Sequence, residues 1–268
     1  MSADIKLEKL QESLQTRRFG KCIYFSRCVN STNDWAKELA SSGAEEGTVT
    51  VAQTQTAGRG RAGREWISPR GGLWFSIVLK PTKRAREASQ LVFVASLVVA
   101  EVLQEKYGLK TETKWPNDVL VNDKKICGIL TEMRTKEERV NFAIVGVGVN
   151  ANFLVDEVLP ASVKAVATSV EFELRKRIRL ESLLRALLEK MENVYERYER
   201  AGFAPVLEEW KRYAGFLGRS VVVTDRNERL NGLALDVDVE GALILRLEDG
   251  TTRRIFVGDV ALVSGVPD

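Results

Sequence analysis

The sequence predicts an α+β protein in which a mixed, mainly antiparallel sheet with flanking helices is followed by a small all-β domain. Three observations support this. The runs TVTVAQTQ, LWFSIVLK and VNFAIVGVGVN are apolar and rich in β-branched residues, as strands are. Stretches at 88–107 and 180–213 have helical length and spacing. From about Leu217 onward the helical period stops and only short strand-like runs follow.

In chain order, apolar spacing predicts a helix over 5–16, a strand over 22–26 and a helix over 33–40 that Ser31 or Thr32 can cap. Strand TVTVAQTQ leads into TAGRGRAGREWISPRGG and then strand LWFSIVLK, so this glycine- and arginine-rich loop joins two strands. A buried helix over 88–107 precedes TETKWPNDVLVNDKKICGILTEM, where Asn122-Asp123 reads as the turn of a hairpin. The strand VNFAIVGVGVN and a helical region over 180–213 complete the first domain. SVVVTD, LALDVD, ALILRL and RRIFVGDVALV make up the second. The shift divides the chain into 1–214 and 215–268, with no internal repeat and no low-complexity linker.

Composition narrows the chemistry. At 268 residues and 44% apolar the chain can bury an enzyme-sized core, and 40 basic against 37 acidic residues give no global nucleic-acid signature. Histidine is absent, which removes Ser-His-Asp and Cys-His catalysis and histidine-bound zinc. Catalysis must then use lysine, arginine, carboxylates or bound magnesium. Cys22, Cys28 and Cys127 are odd in number and lack CxxC spacing, which fits a reducing compartment rather than a disulfide framework. The charged N-terminus is unlike a signal peptide, and the most apolar stretch, 91–102, is too short to span a bilayer, so a cytoplasmic protein without a membrane segment is expected.

Gly58, Gly60 and Gly63 satisfy GxGxxG literally. A dinucleotide fingerprint requires a helix next, whereas Glu65-Trp66-Ile67-Ser68-Pro69 and a strand follow. A kinase loop requires HRD and DFG motifs, and a P-loop requires GK[ST] after the glycines; the chain has neither. What remains is a loop carrying Arg59, Arg61 and Arg64, whose forked guanidinium groups suit phosphate and carboxylate oxygens. The plain alternative is a solvated surface turn.

GRGRAGREW, KWPNDV, KKICGIL and GVGVN occur in this order, and together they resemble the biotin protein ligases. The likeness runs from STN at 31–33 to Asn150, and the β-rich tail matches the family's small C-terminal barrel of Src-homology-3 type. The family's bifunctional members carry an N-terminal DNA-binding domain before the STN motif. With STN beginning at Ser31, the resemblance implies the monofunctional class. It implies an ATP- and magnesium-dependent ligase that makes biotinyl-5′-AMP and transfers biotin to a lysine of a biotin carboxyl carrier protein. It also implies a homodimer, with no nucleic-acid partner and no metal site built from protein ligands.

The resemblance assigns residues as follows. Ser31, Thr32, Asn33, Gln55, Gly58 and Gly128 belong to the biotin side, the ureido head needing donors and acceptors. Lys125 contacts the biotin carboxylate and the reacting phosphate. Arg59 and Arg61 serve both ligands, and Arg61 is expected to retain the adenylate. Arg64, Trp66, Lys114, Asn117 and Asn150 belong to the ATP side. Asp118 is the candidate for orienting the acceptor lysine, so Lys125, Arg61 and Asp118 form the catalytic set. Without the resemblance, Lys125 reads as a strand-edge lysine, Gly128 as a bulge, Ser31 and Thr32 as a helix cap, Trp66 as core packing and Asp118 as a turn cap.

Two other functions compete. A lipoate ligase performs the same adenylation, but its glycine-rich serine motif is missing. A single-stranded nucleic-acid module is disfavoured because aromatic residues are not interleaved with the basic cluster.

Overall fold

The computed structural model describes residues 7–82, 85–225 and 228–263, so positions 5 and 6 of the predicted first helix lie outside the described residues. Helix α1 (Leu7–Ser13) precedes strand β1 (Ile23–Val29), helix α2 (Thr32–Ser41), β2 (Val49–Gln55) and β3 (Leu73–Leu79). Helix α3 (Leu91–Tyr107) then leads to β4 (Thr111–Lys114), β5 (Asp118–Val121), β6 (Lys124–Lys136) and β7 (Arg139–Val149). These strands form a seven-stranded sheet in the order β1-β2-β3-β7-β6-β5-β4. Only β1 and β2 pair in parallel; the other five pairings are antiparallel. The mixed, mainly antiparallel sheet is as the sequence predicts.

Strand β3 is buried along its whole length because both its faces are covered. Leu73, Phe75, Ile77 and Leu79 join the main core with α3, while Val78 packs with Ala36 and Ala40 of α2. Asn122 and Asp123 both take positive φ between β5 and β6, the backbone a two-residue hairpin turn requires. Helix α3 is apolar on nearly every side and buried, and Gly108 at φ 68 ends it in the left-handed region.

Short helices α4 (Val155–Val158), α5 (Ala161–Lys164) and α6 (Val170–Leu174) follow β7, a segment the apolar pattern left unassigned. The region predicted as helical over 180–213 is two helices, α7 (Leu180–Ala201) and α8 (Ala204–Lys211), separated by Gly202 at φ 79. Helix α7 buries Leu183, Leu184, Leu187, Leu188, Met191 and Val194, among others, against the core.

Strands β8 (Ser220–Thr224), β9 (Arg229–Val237), β10 (Leu243–Leu247), β11 (Thr252–Ile255) and β12 (Asp259–Leu262) form a separate antiparallel sheet. Its order is β11-β10-β9-β8-β12, which corrects the expectation of a closed barrel: among the described residues β11 and β12 are its two edges. The run RRIFVGDVALV, which reads as one strand, breaks at Gly258, whose φ of 146 redirects the chain from β11 to β12. This sheet docks firmly. Trp115 Nε1 donates to Gly241 O at 3.0 Å, Gln90 Nε2 donates to Val239 O at 3.2 Å, and Val221, Val223, Leu243 and Leu245 join the main core. No described helix is long and apolar enough to cross a membrane.

Candidate active site

On β7 the alternate residues Ile144, Gly146 and Gly148 pair with Val78, Ser76 and Trp74 of β3, and so share their face of the sheet. Above this face lies a cavity of about 310 Å³. It is lined by α2, the arginine loop, the KWPND turn, β6, β7, the α4–α5 segment and Asp259 of β12. Of the residues the sequence singled out, all but Gly58 and Lys114 line it. Gly58 sits just behind, where a Cβ would lie 2.3 Å from Trp66 O, so only glycine lets the two arms of the loop approach. Lys114 stands 4.0 Å from the far oxygen of Asp118.

One end of the cavity is a polar pocket. Gln55 Oε1 accepts from Thr32 N at 2.8 Å and from Thr32 Oγ1 at 3.1 Å, and Gln55 Nε2 donates to Ser68 Oγ at 2.7 Å. Ser31 holds the N-cap position of α2, but its side chain makes no capping bond. Asn33 is occupied: its Oδ1 lies 2.7 Å from Ser76 Oγ, and its Nδ2 donates to Glu132 Oε2 at 2.7 Å and Leu130 O at 3.3 Å. A Cβ on Gly146 would strike Asn33 Oδ1 at 2.1 Å, so this glycine makes room for the amide.

The other end is cationic and aromatic. Lys125 Nζ lies 2.7 Å from Asp118 Oδ1 and 5.0 Å from the centre of the Trp66 ring. The indole rests on paired glycines, Gly128 of β6 and Gly148 of β7. A Cβ on Gly128 would come within 3.0 Å of it, and one on Gly148 within 2.6 Å of Nε1. That Nε1 is buried and has no hydrogen-bond partner among the described residues, an orphan donor beside the cavity. Asn117 is buried and pinned, donating from Nδ2 to Ile129 O at 2.8 Å. Asn150 donates to Thr168 O at 2.9 Å, and Lys125 N to Val166 O at 2.8 Å, which holds the α4–α5 segment against the site.

The arginine loop is a small hairpin. Trp66 N donates to Gly58 O at 2.9 Å and Gly60 N to Arg64 O at 2.7 Å, while Ala62 at its apex has φ 53. Its three arginines have different surroundings. Arg59 is forked onto Asp34, with contacts of 2.6 and 2.5 Å, and this pairing raises its pKa. Arg64 is paired with Asp259 at 2.6 Å, and that bond raises its pKa likewise. Arg61 is different, because burial lowers its pKa more than Asp259, 3.7 Å away, restores it. It donates to Asn117 Oδ1 at 3.3 Å and Gly258 O at 3.2 Å. Arg61 is the undercompensated cation of the three, and an incoming anion has most to gain there.

Cys127 neighbours Gly128 but is fully buried, and burial pushes its thiol well above the usual range, so it offers no thiolate. Contributors that escaped the sequence reading include Asp259 from the second sheet, the apolar wall of Leu159, Val163, Val166 and Ala167, the carboxylates of Asp34 and Glu132 beside Arg59, and Gly146 and Gly148 of β7. Only Gly146 and Gly148 had a signal, since glycine at alternate positions of a strand marks one face opened for a close neighbour.

Residues 25–150 match the model of the "Biotin/lipoate A/B protein ligase family", and residues 216–263 match that of the "Biotin protein ligase C terminal domain". The chain is 36% identical over 260 residues to the bifunctional ligase/repressor BirA of Bacillus subtilis, an alignment covering 95% of this chain and 79% of that protein. The chain belongs to the biotin protein ligase family. It is 35% identical over 222 residues to the biotin–[acetyl-CoA-carboxylase] ligase of Paracoccus denitrificans, covering 81% of this chain and 91% of that one. Among solved structures, a biotin protein ligase from Aquifex aeolicus in complex with biotin and ATP superposes with a TM-score of 0.78 at 28% identity. That match covers 91% of this chain and 99% of the Aquifex chain. Both sheets therefore fall within recognised parts of the biotin protein ligase fold.

Proposed function

We propose that this biotin protein ligase joins biotin and Mg-ATP as biotinyl-5′-AMP and passes the biotinyl group to a lysine of a biotin carboxyl carrier protein, such as that of an acetyl-CoA carboxylase. The observation that carries the reading is the convergence of Lys125 and Arg61 on one cavity with a polar pocket at one end and an aromatic wall at the other.

In this reading Ser31, Thr32 and Gln55 take the ureido head, and Asn33 shapes their pocket rather than touching the ligand. The chain of biotin runs from that pocket toward Lys125. Trp66, Asn117 and Asn150 flank the nucleotide, with Lys114 supporting Asp118 from behind. A carboxylate oxygen attacks the α-phosphorus and pyrophosphate leaves. Lys125 and Arg61 hold the two anions together and offset the charge gathering on the phosphoryl oxygens. The amine of the carrier lysine then attacks the carbonyl carbon of the mixed anhydride, AMP leaves with the C–O bonding pair, and the proton passes to a base. In this reading Asp118 takes that role, which its carboxylate's position in the cavity beside the Lys125 ammonium supports. A chain without histidine suits this route, which needs no acyl-enzyme.

Among the described residues no group of three or more Cys, Asp or Glu side chains gathers to cage a metal ion. In this reading magnesium would arrive on the nucleotide phosphates and neutralise charge there, with Asn117 and Asp118 as nearby oxygen donors. The reading also includes a division at 214/215, with the second sheet as a small C-terminal module, and a homodimer in the cytosol. The unpaired Cys22, Cys28 and Cys127 suit a reducing compartment.

Isotope exchange between pyrophosphate and ATP tests the activity: it is expected to require biotin. Calorimetry is expected to show tight biotin binding that strengthens nucleotide binding. Exchange independent of biotin, or driven by lipoate instead, overturns the proposal.

A further inference from the structure

The loop that carries Arg61 is tied to the rest of the protein at its root by a network of four charges. Arg59 directs Nη1 to Asp34 Oδ2 at 2.6 Å and Nη2 to Asp34 Oδ1 at 2.5 Å, a two-pronged ion pair. Arg59 Nη2 also lies 3.8 Å from Glu132 Oε2. Lys37 bridges the two acids, 2.5 Å from Glu132 Oε1 and 3.6 Å from Asp34 Oδ1. Asp34 and Lys37 belong to α2 and Glu132 to β6, so the root of the loop is fastened to a helix and a strand at once. The Arg59 bond also lowers the pKa of Asp34, which keeps the acid charged throughout the neutral range.

Two consequences follow. Both terminal nitrogens of Arg59 already face a carboxylate, so an arriving phosphate can recruit them only by breaking the fork. In addition, Asp34 lies in the same first turn of α2 as Thr32, whose hydroxyl reaches Gln55 in the polar pocket. One helical turn therefore both shapes the head pocket and holds the root of the loop.

We propose that Asp34 is a positioning residue for adenylate formation and retention. Acting through Arg59, it fixes the stem of the arginine loop relative to the head pocket, so that Arg61 stays aimed at the reacting phosphate. Arg59 is then a strut rather than an anion ligand. The proposal rests on the ligase reading above.

The test uses the full chain with biotin, ATP and magnesium, comparing Asp34→Asn, Asp34→Ala, Arg59→Ala, the double alanine variant and the swap Asp34→Arg/Arg59→Asp. Release of biotinyl-5′-AMP from the preformed complex is timed, and the KM for ATP in pyrophosphate exchange is measured beside kcat. Removing either partner is expected to speed adenylate release about tenfold, the low end for a charged hydrogen bond that is one-third exposed. The double alanine variant is expected to release no faster than the faster single variant, and the swap to recover most of the retention.

A tighter KM for ATP or slower release in Asp34→Ala overturns the proposal, because Arg59 would then be a ligand that Asp34 holds back. Unchanged release in both Asp34 variants, or additive losses in the double variant, overturns it equally. Should Asp34→Ala melt far below the parent, the isosteric Asp34→Asn carries the comparison. A parent chain lacking biotin-dependent exchange defeats the ligase reading itself, which separates that failure from this one.

Discussion

Gly148→Ala tests the floor beneath Trp66, on the proposed nucleotide side, at one methyl group's resolution. The added Cβ would stand 2.6 Å from Trp66 Nε1 and 2.9 Å from Cε2, whereas non-bonded heavy atoms rest near 3.5–4.0 Å. The indole must therefore shift by about 1 Å. It cannot slide freely, being edge-on to Trp74 at 6.3 Å between ring centres and under Lys125. Overpacking of this kind costs about 1–3 kcal/mol. With that cost falling on the nucleotide complex, affinity for ATP is expected to drop roughly 5- to 150-fold, while affinity for biotin, which the proposed reading puts in the polar pocket of α2 and β2, is expected to change little. Pyrophosphate exchange, with ATP and biotin varied separately, reads the two effects apart. The control is the same substitution made in a Trp66→Ala background, where its penalty is expected to vanish. A full penalty without the indole, or an unchanged KM for ATP with it, refutes the argument that the paired glycines exist to seat Trp66.

Other outcomes follow from the same geometry. Arg61→Gly removes the undercompensated cation and is expected to form adenylate yet release it roughly 10- to 150-fold faster, seen as biotin on bystander lysines; parent-like retention removes Arg61 from the clamp. Lys125→Ala is expected to abolish pyrophosphate exchange, and near-normal exchange removes that lysine from the chemistry. Glu192 concerns stability, since its carboxylate accepts from the backbone N–H of Arg17, Arg18 and Phe19 at 2.7, 2.6 and 3.1 Å. Burial raises its pKa, but the three bonds together outweigh it and leave the group below the ordinary 4.5. A depressed folded pKa gives stability that is present above the unfolded value and lost as pH falls through the folded one. Glu192→Gln is therefore expected to lower the denaturation midpoint at neutral pH and to flatten its decline below about pH 4.5; an unaltered acid limb contradicts this.

The sheet was legible because its central strands are either alternating or continuously apolar, and those patterns follow from having one or both faces covered. Asn122-Asp123 was legible because a two-residue hairpin demands left-handed backbone. The short helices after β7 were not, since each is about a single turn held by neighbours, such as the bonds from Val170 N to Asn150 O and from Glu171 N to Ala151 O, rather than by its own periodicity. The pocket residues carried by contiguous motifs could be read off the chain. Asp34, Glu132 and Asp259 could not, because an acid that pairs with an arginine 25 or 195 positions away looks like any solvated acid until the fold brings the two together. The same reasoning explains Arg59 and Asn33: sequence placed them at the site, and only coordinates show that their polar atoms are already engaged.

The bond from Arg61 to Gly258 O joins residues 197 positions apart. During synthesis at about 5–20 residues per second, the loop emerges roughly 10–40 seconds before the Gly258 turn that steadies it. A nascent chain thus displays the Arg61 guanidinium for that interval without the brace, and a chain stalled short of Gly258 never acquires it. Translation order makes the arginine loop's setting one of the last parts of the cavity to be completed.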